Sequence, residues 1–117
     1  ALARNFAEKG HTLYLIDINE EALKHTVQEH LKNHTDRLAW SVCNLKSTDD
    51  IRATVNKAAD HFGGRIDFLV NNAGISQPYW PDEMTMADPK TLEVWKEYVD
   101  VNMTGNFATS QACVPFM

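Results

Sequence analysis

The stretch DFLVNNAGIS, residues 67–76, changes character in its middle. Residues 68–70 form a short apolar run of the kind that lies inside a buried strand. Asn71 and Asn72 follow at once, and amide side chains are costly to bury unless they are hydrogen-bonded. An alanine and a glycine come next, and such small residues let another group approach the backbone closely. We therefore interpret the stretch as a strand that ends in a ligand-binding turn.

Strands and helices alternate on both sides of this stretch. Apolar runs predict strands in residues 11–18, 37–45 and 66–72, and the first reads as a strand buried on both faces. Helical spacing, caps and breakers predict helices in residues 1–10, 19–34, 47–64 and 88–117. Strands that alternate with helices are typical of a parallel sheet with right-handed crossovers. The fold class is therefore α/β, a Rossmann-type doubly wound parallel sheet.

This sheet is predicted to be incomplete. In the dinucleotide-binding fold the strand order is 3-2-1-4, and the three predicted strands correspond to the second, third and fourth. The first strand, which belongs between the second and the fourth, is missing, and a gap there leaves buried backbone groups unpaired. We expect residues 1–117 to be a partial NAD(P)-binding domain of a longer protein, without the first strand and the C-terminal half.

Composition narrows the class of protein. The net charge of -5 without a basic cluster argues against a nucleic-acid partner. No apolar run approaches the ~20 residues of a membrane span, and no signal peptide is evident. Cys43 and Cys113 lie far apart, which favours buried reduced thiols and a cytoplasmic location. We expect His25, His30 and His34 to be solvated surface residues rather than zinc ligands.

The strand predicted in residues 11–18 ends near a carboxylate, that of Asp17. Asp17 could accept hydrogen bonds from the hydroxyl groups of a ribose, or it could cap the helix that begins near Asn19, and its position favours neither. A basic residue would be needed to hold a 2′-phosphate, but Ile18 follows Asp17. The local chemistry therefore favours NAD over NADP.

Polar residues also occur at the end of the strand predicted in residues 37–45 and within the last predicted helix. Asn44 could pair with an adenine amino group while Leu45 packs on the ring, or Asn44 could cap the next helix. Asn102 lies on the helix face of Val99, and Gly105 follows three residues later. This pattern suggests a local kink that frees backbone groups for water. The alternative is a structural asparagine in the core.

At this point the sequence resembles the short-chain dehydrogenase/reductase family. The resemblance rests on Asp17 at the end of the strand in residues 11–18, on CNL (43–45), on NNAG (71–74) and on VNMTG (101–105). It implies a Rossmann-type oxidoreductase that transfers hydride between the nicotinamide of NAD(P) and a small alcohol or carbonyl substrate. It also implies a homodimer or homotetramer in which the last helix, with Met103, packs against its copy. Ordinary packing of that helix on the sheet is the alternative.

The resemblance assigns a role to most of the polar residues described above. Asn102 would be the catalytic asparagine, whose kinked helix holds a water in a proton relay, and Asn71 would brace the sheet. Asp17 would hold the adenosine ribose. The cofactor-binding residues are Asp17, Ile18, Asn44, Leu45, Asn72, Ala73, Gly74 and Val101.

Parts of the family pattern are missing from the chain. There is no glycine-rich phosphate turn and no Tyr-x-x-x-Lys pair, because no tyrosine is followed by lysine four residues later. The catalytic serine is missing as well. We therefore expect the segment to supply the adenosine half of the site and to be inactive alone. An S-adenosylmethionine-dependent methyltransferase and a non-catalytic NAD-binding relative are the alternatives.

Overall fold

The computed structural model describes residues 1–76 and 85–117. Its sheet consists of two parallel strands, β1 (Leu13–Asp17) and β2 (Leu38–Val42). Leu13 lies opposite Leu38, and Asp17 lies opposite Val42. The Cys43 amide donates to the Asp17 carbonyl oxygen at 3.0 Å, so the pairing continues one residue past β2. The carboxyl ends of the two strands therefore lie side by side.

The described residues form five α-helices: α1 (Leu2–Glu8), α2 (Glu20–His25), α3 (Thr48–His61), α4 (Pro89–Val99) and α5 (Asn106–Cys113). Two π-helical and two 3-10 segments adjoin them: Thr26–His30, Asp100–Gly105, Lys32–Arg37 and Val114–Phe116. The segment Asp100–Gly105 joins α4 to α5 and is called the π-turn below. The predicted helix 19–34 is thus a regular α-helix only as far as His25.

Three of the described α-helices, α2, α3 and α4, begin at side chains that cap them. The Asn19 side chain accepts from the Ala22 amide, Ser47 accepts from the Asp50 amide, and Asp88 accepts from the Lys90 amide. These bonds satisfy amide groups that have no partner within the first helical turn. The sequence offers Ser47 or Thr48 as the cap of α3 and Asp88 as the cap of α4, and the structure uses Ser47 and Asp88.

The core lies between α3, α5 and the end of β2. Ile51, Val55 and Ala59 of α3 are buried there together with Cys43, Ile66 and Cys113. Phe62 packs against the same cluster, so the predicted apolar face of α3 is confirmed. This packing fixes the orientation of α5 relative to the strand ends.

The prediction of a third strand is wrong for the described structure. Residues 66–72 belong to no sheet, and the Ile66 amide donates to the Phe116 carbonyl oxygen at 2.9 Å. Phe68 is 77% exposed and Val70 is 52% exposed. A strand needs a hydrogen-bonded neighbour, and residues 1–76 and 85–117 supply none for this segment.

The first four residues of β1 are half-buried and Asp17 is exposed, contrary to the prediction of a strand buried on both faces. Within the described part of the chain, β1 pairs with β2 along one edge only. The open edge leaves its side chains partly accessible. The α/β class, with parallel strands joined through helices, is nevertheless confirmed. None of the described helices is long and apolar enough to cross a membrane.

Candidate functional site

Asp17 lies at the exposed carboxyl end of β1. Its Oδ1 accepts from the Asn19 amide at 2.9 Å, which closes a short turn, and Asn19 itself caps α2. Within residues 1–76 and 85–117, no Lys, Arg or His forms an ion pair with this carboxylate. One carboxylate oxygen thus serves the local turn, and the group keeps acceptor capacity that faces solvent.

Asn44 lies two residues beyond the end of β2. Its Oδ1 accepts from the Lys46 amide at 3.0 Å, and its backbone amide donates to the Asp50 carboxylate at 3.1 Å. The cap of α3 is Ser47, so the alternative of Asn44 as the cap is wrong. Oδ1 keeps a second lone pair, so the Asn44 amide can still meet a ligand as both acceptor and donor.

Leu45 packs directly against the π-turn. A Cβ atom added to Gly105 would lie 2.8 Å from the Leu45 Cβ, closer than real Cβ atoms approach. The next residue, Lys46, forms an ion pair with Glu97 of α4. The loop after β2 is therefore held to the α4–α5 helix pair by one close contact and one charged contact.

The side chain of Asn102 is bound at both ends. Its Oδ1 accepts from the Ile75 amide and its Nδ2 donates to the Ile75 carbonyl oxygen, each at 2.8 Å. A Cβ atom on Gly74 would lie 3.2 Å from this Oδ1, which gives a local reason for the glycine. Asn102 therefore holds the segment after residue 70 in place, as a structural asparagine would.

The kink expected near Asn102 is present as the π-turn. Two of its carbonyl oxygens accept from side chains: Asn106 Nδ2 donates to the Asn102 carbonyl oxygen, and Thr109 Oγ1 donates to that of Gly105, both at 2.8 Å. A π-helix has more residues per turn than an α-helix, so the buried face of the chain shifts there. Accordingly Trp95 is exposed while Asn102 is half-buried, although seven residues apart they would share a face of a regular α-helix.

Asn71 contacts a helix. Its Nδ2 donates to Ser110 Oγ of α5 at 2.8 Å, whereas the resemblance implied that it braces the sheet. These contacts are completed by three residues that were not among the predicted site residues: Ile75, Asn106 and Ser110. A signal was available, because polar residues recur at every fourth position from Asn102 onwards, and such residues lie on one side of a helix.

The π-turn lies between the loop that follows β2 and the segment 71–75. Leu45 contacts it at Gly105, and the segment 71–75 contacts it at Asn102. The Cys43 amide links the Leu45 loop to Asp17. The structure thus connects most of the predicted site residues. Of the others, Ile18 and Asn72 are exposed and Val101 is half-buried.

Cysteine and histidine form no second site in the described residues. Burial raises the pKa of the Cys43 and Cys113 thiols, and both are unpaired. The rings of His25 and His30 stack edge-on with centroids 5.7 Å apart, yet no cluster of three metal-ligating side chains occurs in 1–76 or 85–117. The aromatic residues Tyr79 and Trp80 could by their type line a pocket or pack on the surface, and they lie outside the described residues.

Comparison with known proteins agrees with this geometry. The family model described as short chain dehydrogenase matches residues 1–117. The chain is 34% identical over 112 residues to 3-oxoacyl-(acyl-carrier-protein) reductase FabG of Thermotoga maritima. The matched region covers 96% of this chain and 42% of that protein. It is 29% identical over 113 residues to sorbose reductase sou1 of Schizosaccharomyces pombe, with the same two coverages, 96% and 42%.

Solved structures give the same result. A short-chain dehydrogenase/reductase of the glucose/ribitol dehydrogenase type from Brucella melitensis matches with a TM-score of 0.78 and 32% identity, over 97% of this chain and 45% of that one. An actinorhodin polyketide ketoreductase with NADPH matches with a TM-score of 0.78 and 27% identity, over 96% and 40%. The chain spans less than half the length of the relatives it matches. From its strand-end residues and a family match along its whole length, the chain belongs to the short-chain dehydrogenase family.

Proposed function

We propose that the full-length protein is an NAD-dependent oxidoreductase that transfers hydride between the nicotinamide and a small alcohol or carbonyl substrate. Residues 1–117 would supply the adenosine half of the cofactor site together with Asn102. The observation that carries the proposal is the junction at the π-turn, where the loop at Leu45 and the segment 71–75 meet next to the end of β1.

Asp17 is the residue that we assign to the adenosine ribose. Its carboxylate is exposed at the carboxyl end of β1, and ligands of open α/β sheets bind at this edge. One oxygen holds the Asn19 amide, and the remaining acceptor capacity suits a ribose hydroxyl. A 2′-phosphate would meet an unpaired negative charge there, which supports a preference for NAD. A relative crystallised with NADPH shows that the family match alone does not decide between the two cofactors.

The adenine and the inner edge of the ribose would meet the next two loops. Asn44 offers the second lone pair of its Oδ1 to the adenine amino group and its Nδ2 as a donor to a ring nitrogen. Apolar contact would come from Leu45, Ile18 and Val101. Backbone at small residues allows close approach, which suits Asn72, Ala73 and Gly74 for the ribose edge.

Asn102 would take part in the reaction through its backbone. When bound, the nicotinamide ring accepts or donates the hydride. Because the Asn102 side chain is committed to Ile75, the group left for a proton relay is its carbonyl oxygen in the π-turn. That oxygen lies in the π-turn and accepts from Asn106 Nδ2 at 2.8 Å, and the kinked backbone there is where a water would join the relay.

The α4–α5 helix pair carries a face that fits a second copy of the full-length protein. Trp95, Met103, Phe107 and Val114 are each between 64% and 68% exposed. An apolar groove of about 570 Å³ runs along the start of α4 beside Leu92 and Trp95. Monomeric proteins rarely expose large contiguous apolar patches, so we propose a homodimer or homotetramer built on this face. The buried thiols support a reducing, cytoplasmic location.

The function is tested with the full-length protein. Binding of NADH, NADPH and S-adenosylmethionine is measured by tryptophan fluorescence and calorimetry, and oxidation of NADH is followed with a panel of aldehydes and ketones. We expect saturable NADH binding, turnover of at least one carbonyl class and no S-adenosylmethionine binding. Saturation with S-adenosylmethionine alone would identify a methyltransferase, which the family match disfavours. Tight NADH binding without turnover on any carbonyl would identify a non-catalytic relative.

A further inference from the structure

Three side chains of the helix pair contact three alternate residues of the segment that follows residue 70. Asn102 binds the backbone of Ile75 through two bonds of 2.8 Å. Asn106 Nδ2 donates to the Ala73 carbonyl oxygen at 3.4 Å, the longest of these contacts. Ser110 Oγ accepts from Asn71 Nδ2 at 2.8 Å. We call this set of contacts the ladder.

The ladder has the same order along both elements. Its helix residues are four apart in sequence, and its partner residues are two apart. The segment 71–75 runs antiparallel to the helix, because residue 71 meets Ser110 and residue 75 meets Asn102.

Asn106 and Ser110 are themselves held in place by the helix. Asn106 Nδ2 also donates to the Asn102 carbonyl oxygen at 2.8 Å, so both hydrogens of the amide are used. Ser110 Oγ donates to the Asn106 carbonyl oxygen at 2.9 Å, which directs its lone pairs towards Asn71. Each rung of the ladder therefore orients the next.

We propose that Asn106 and Ser110 are positioning residues for cofactor binding, in addition to Asn102. By binding residues 71, 73 and 75, the ladder fixes the course of the segment whose residues Asn72, Ala73 and Gly74 are assigned to the ribose. This inference rests on the proposed function. Neither residue touches the cofactor. Both act by fixing the segment that does.

The test uses the full-length protein with Asn106→Ala, Asn106→Asp, Ser110→Ala and Ser110→Thr. Asn106→Asp keeps the size of the side chain and removes the two donor hydrogens, and Ser110→Thr keeps the hydroxyl. Thr109→Val is the matched control, because the Thr109 hydroxyl bonds only to the Gly105 carbonyl of its own helix among the described residues. Two quantities are measured: hydrogen exchange in a peptide that covers residues 70–76 without cofactor, and the Kd for NADH.

We expect Asn106→Ala, Asn106→Asp and Ser110→Ala to speed exchange at the Ile75 amide and to raise the Kd for NADH by about tenfold, which corresponds to about 1.4 kcal/mol. Ser110→Thr and Thr109→Val should stay within about twofold of the wild type in both measurements. Exchange that does not change in the three disruptive variants would overturn the ladder itself. Faster exchange with an unchanged Kd would overturn the positioning role, and a wild-type protein that binds no NADH would overturn the proposed function on which that role rests.

Discussion

Gly105 lies so close to Leu45 that a Cβ atom on the glycine would stand 2.7 Å from the Leu45 carbonyl oxygen. The contact joins the helix pair to the loop that follows β2, and it involves backbone that cannot rotate away. Gly105 is also the last residue of the π-turn, so the loop meets the helix pair where the π-helix ends and α5 begins.

Replacing this glycine tests the close contact. Alanine normally stabilises a helix interior by about 0.5–1 kcal/mol relative to glycine. We expect Gly105→Ala instead to destabilise the full-length protein by about 1–3 kcal/mol, as overpacking does, and to weaken NADH binding. Urea unfolding and fluorescence titration measure the two effects. Gly63→Ala is the control, since nothing lies within 4 Å of the added Cβ there, and any cost arises from its φ of +72° alone. A stabilised Gly105→Ala variant would contradict the close packing.

The Asp17 carboxylate should determine the choice between NADH and NADPH. We expect Asp17→Ala to raise the Kd for NADH about tenfold and to change NADPH binding little or improve it, because the charge that repels a 2′-phosphate is gone. Titration of both cofactors into the full-length protein measures this. Asp49→Ala, which removes an exposed acid from the first turn of α3, is the control for net charge. Equal losses for both cofactors would assign Asp17 to the turn at Asn19 and leave it no part in selectivity.

The ion pair between Lys46 and Glu97 should contribute little to stability. The two side chains are 41% and 53% exposed, and solvent screens pairs of this kind. We expect a double-mutant cycle of Lys46→Met and Glu97→Gln to give a coupling free energy of about 0.2–1 kcal/mol, reduced in 0.5 M salt. Urea unfolding of the four proteins provides the measurement. A coupling well above this range that resists salt would mean that the pair does more than link two surface elements.

Burial of the two thiols predicts a loss of stability in alkali. The pKa of each thiol is raised above its ordinary value of 9.0, so the unfolded chain ionises first as the pH rises. Their contribution is complete below about pH 9 and is lost as the pH passes through the folded-state pKa. Urea midpoints between pH 7.5 and 10.5 should therefore fall more steeply for the wild type than for Cys43→Ala/Cys113→Ala. Parallel pH profiles would show that the thiols do not drive the alkaline loss.

If copies of the protein associate through the exposed apolar face of α4–α5, a charged side chain placed on that face should dissociate them. Phe107 is 68% exposed, so Phe107→Asp should leave the fold of a protomer intact while placing a carboxylate in the proposed interface between copies. We expect sedimentation velocity of the full-length protein to show a shift to smaller species. Lys90→Asp, at an exposed position in the first turn of α4, is the control. An unchanged sedimentation profile would indicate that this face does not hold copies together.

The sequence predicted those parts of the fold that depend on local signals. Ser47 and Asp88 cap their helices because a side-chain oxygen accepts a hydrogen bond from an amide two or three residues ahead. This pattern can be recognised in the amino-acid sequence. The apolar run that became β1 was equally clear. In contrast, residues 66–72 have the composition of a strand, but a strand exists only beside a partner, and no property of these residues supplies one.

The candidate site was predictable in part for the same reason. Asp17, Asn44 and Asn102 stand out as polar residues at interruptions of apolar patterns. The partner of Asn102 is the backbone of Ile75, and a backbone group has no signature in a sequence. Asn106 and Ser110 look like ordinary polar helix positions until the neighbouring segment is known to lie alongside them.

Among the described residues β1 pairs with β2 only, and this affects how the isolated segment should behave in solution. Beyond its pairing with β2, its second edge presents a row of free amide and carbonyl groups within the described part of the chain. Such an edge acts as a template onto which another polypeptide can add as a strand. Prepared alone, residues 1–117 should associate through their backbones in a concentration-dependent way that side-chain substitution on α5 does not relieve. Aggregation of the isolated segment would therefore report on an uncovered strand and carry no information about how full-length copies assemble.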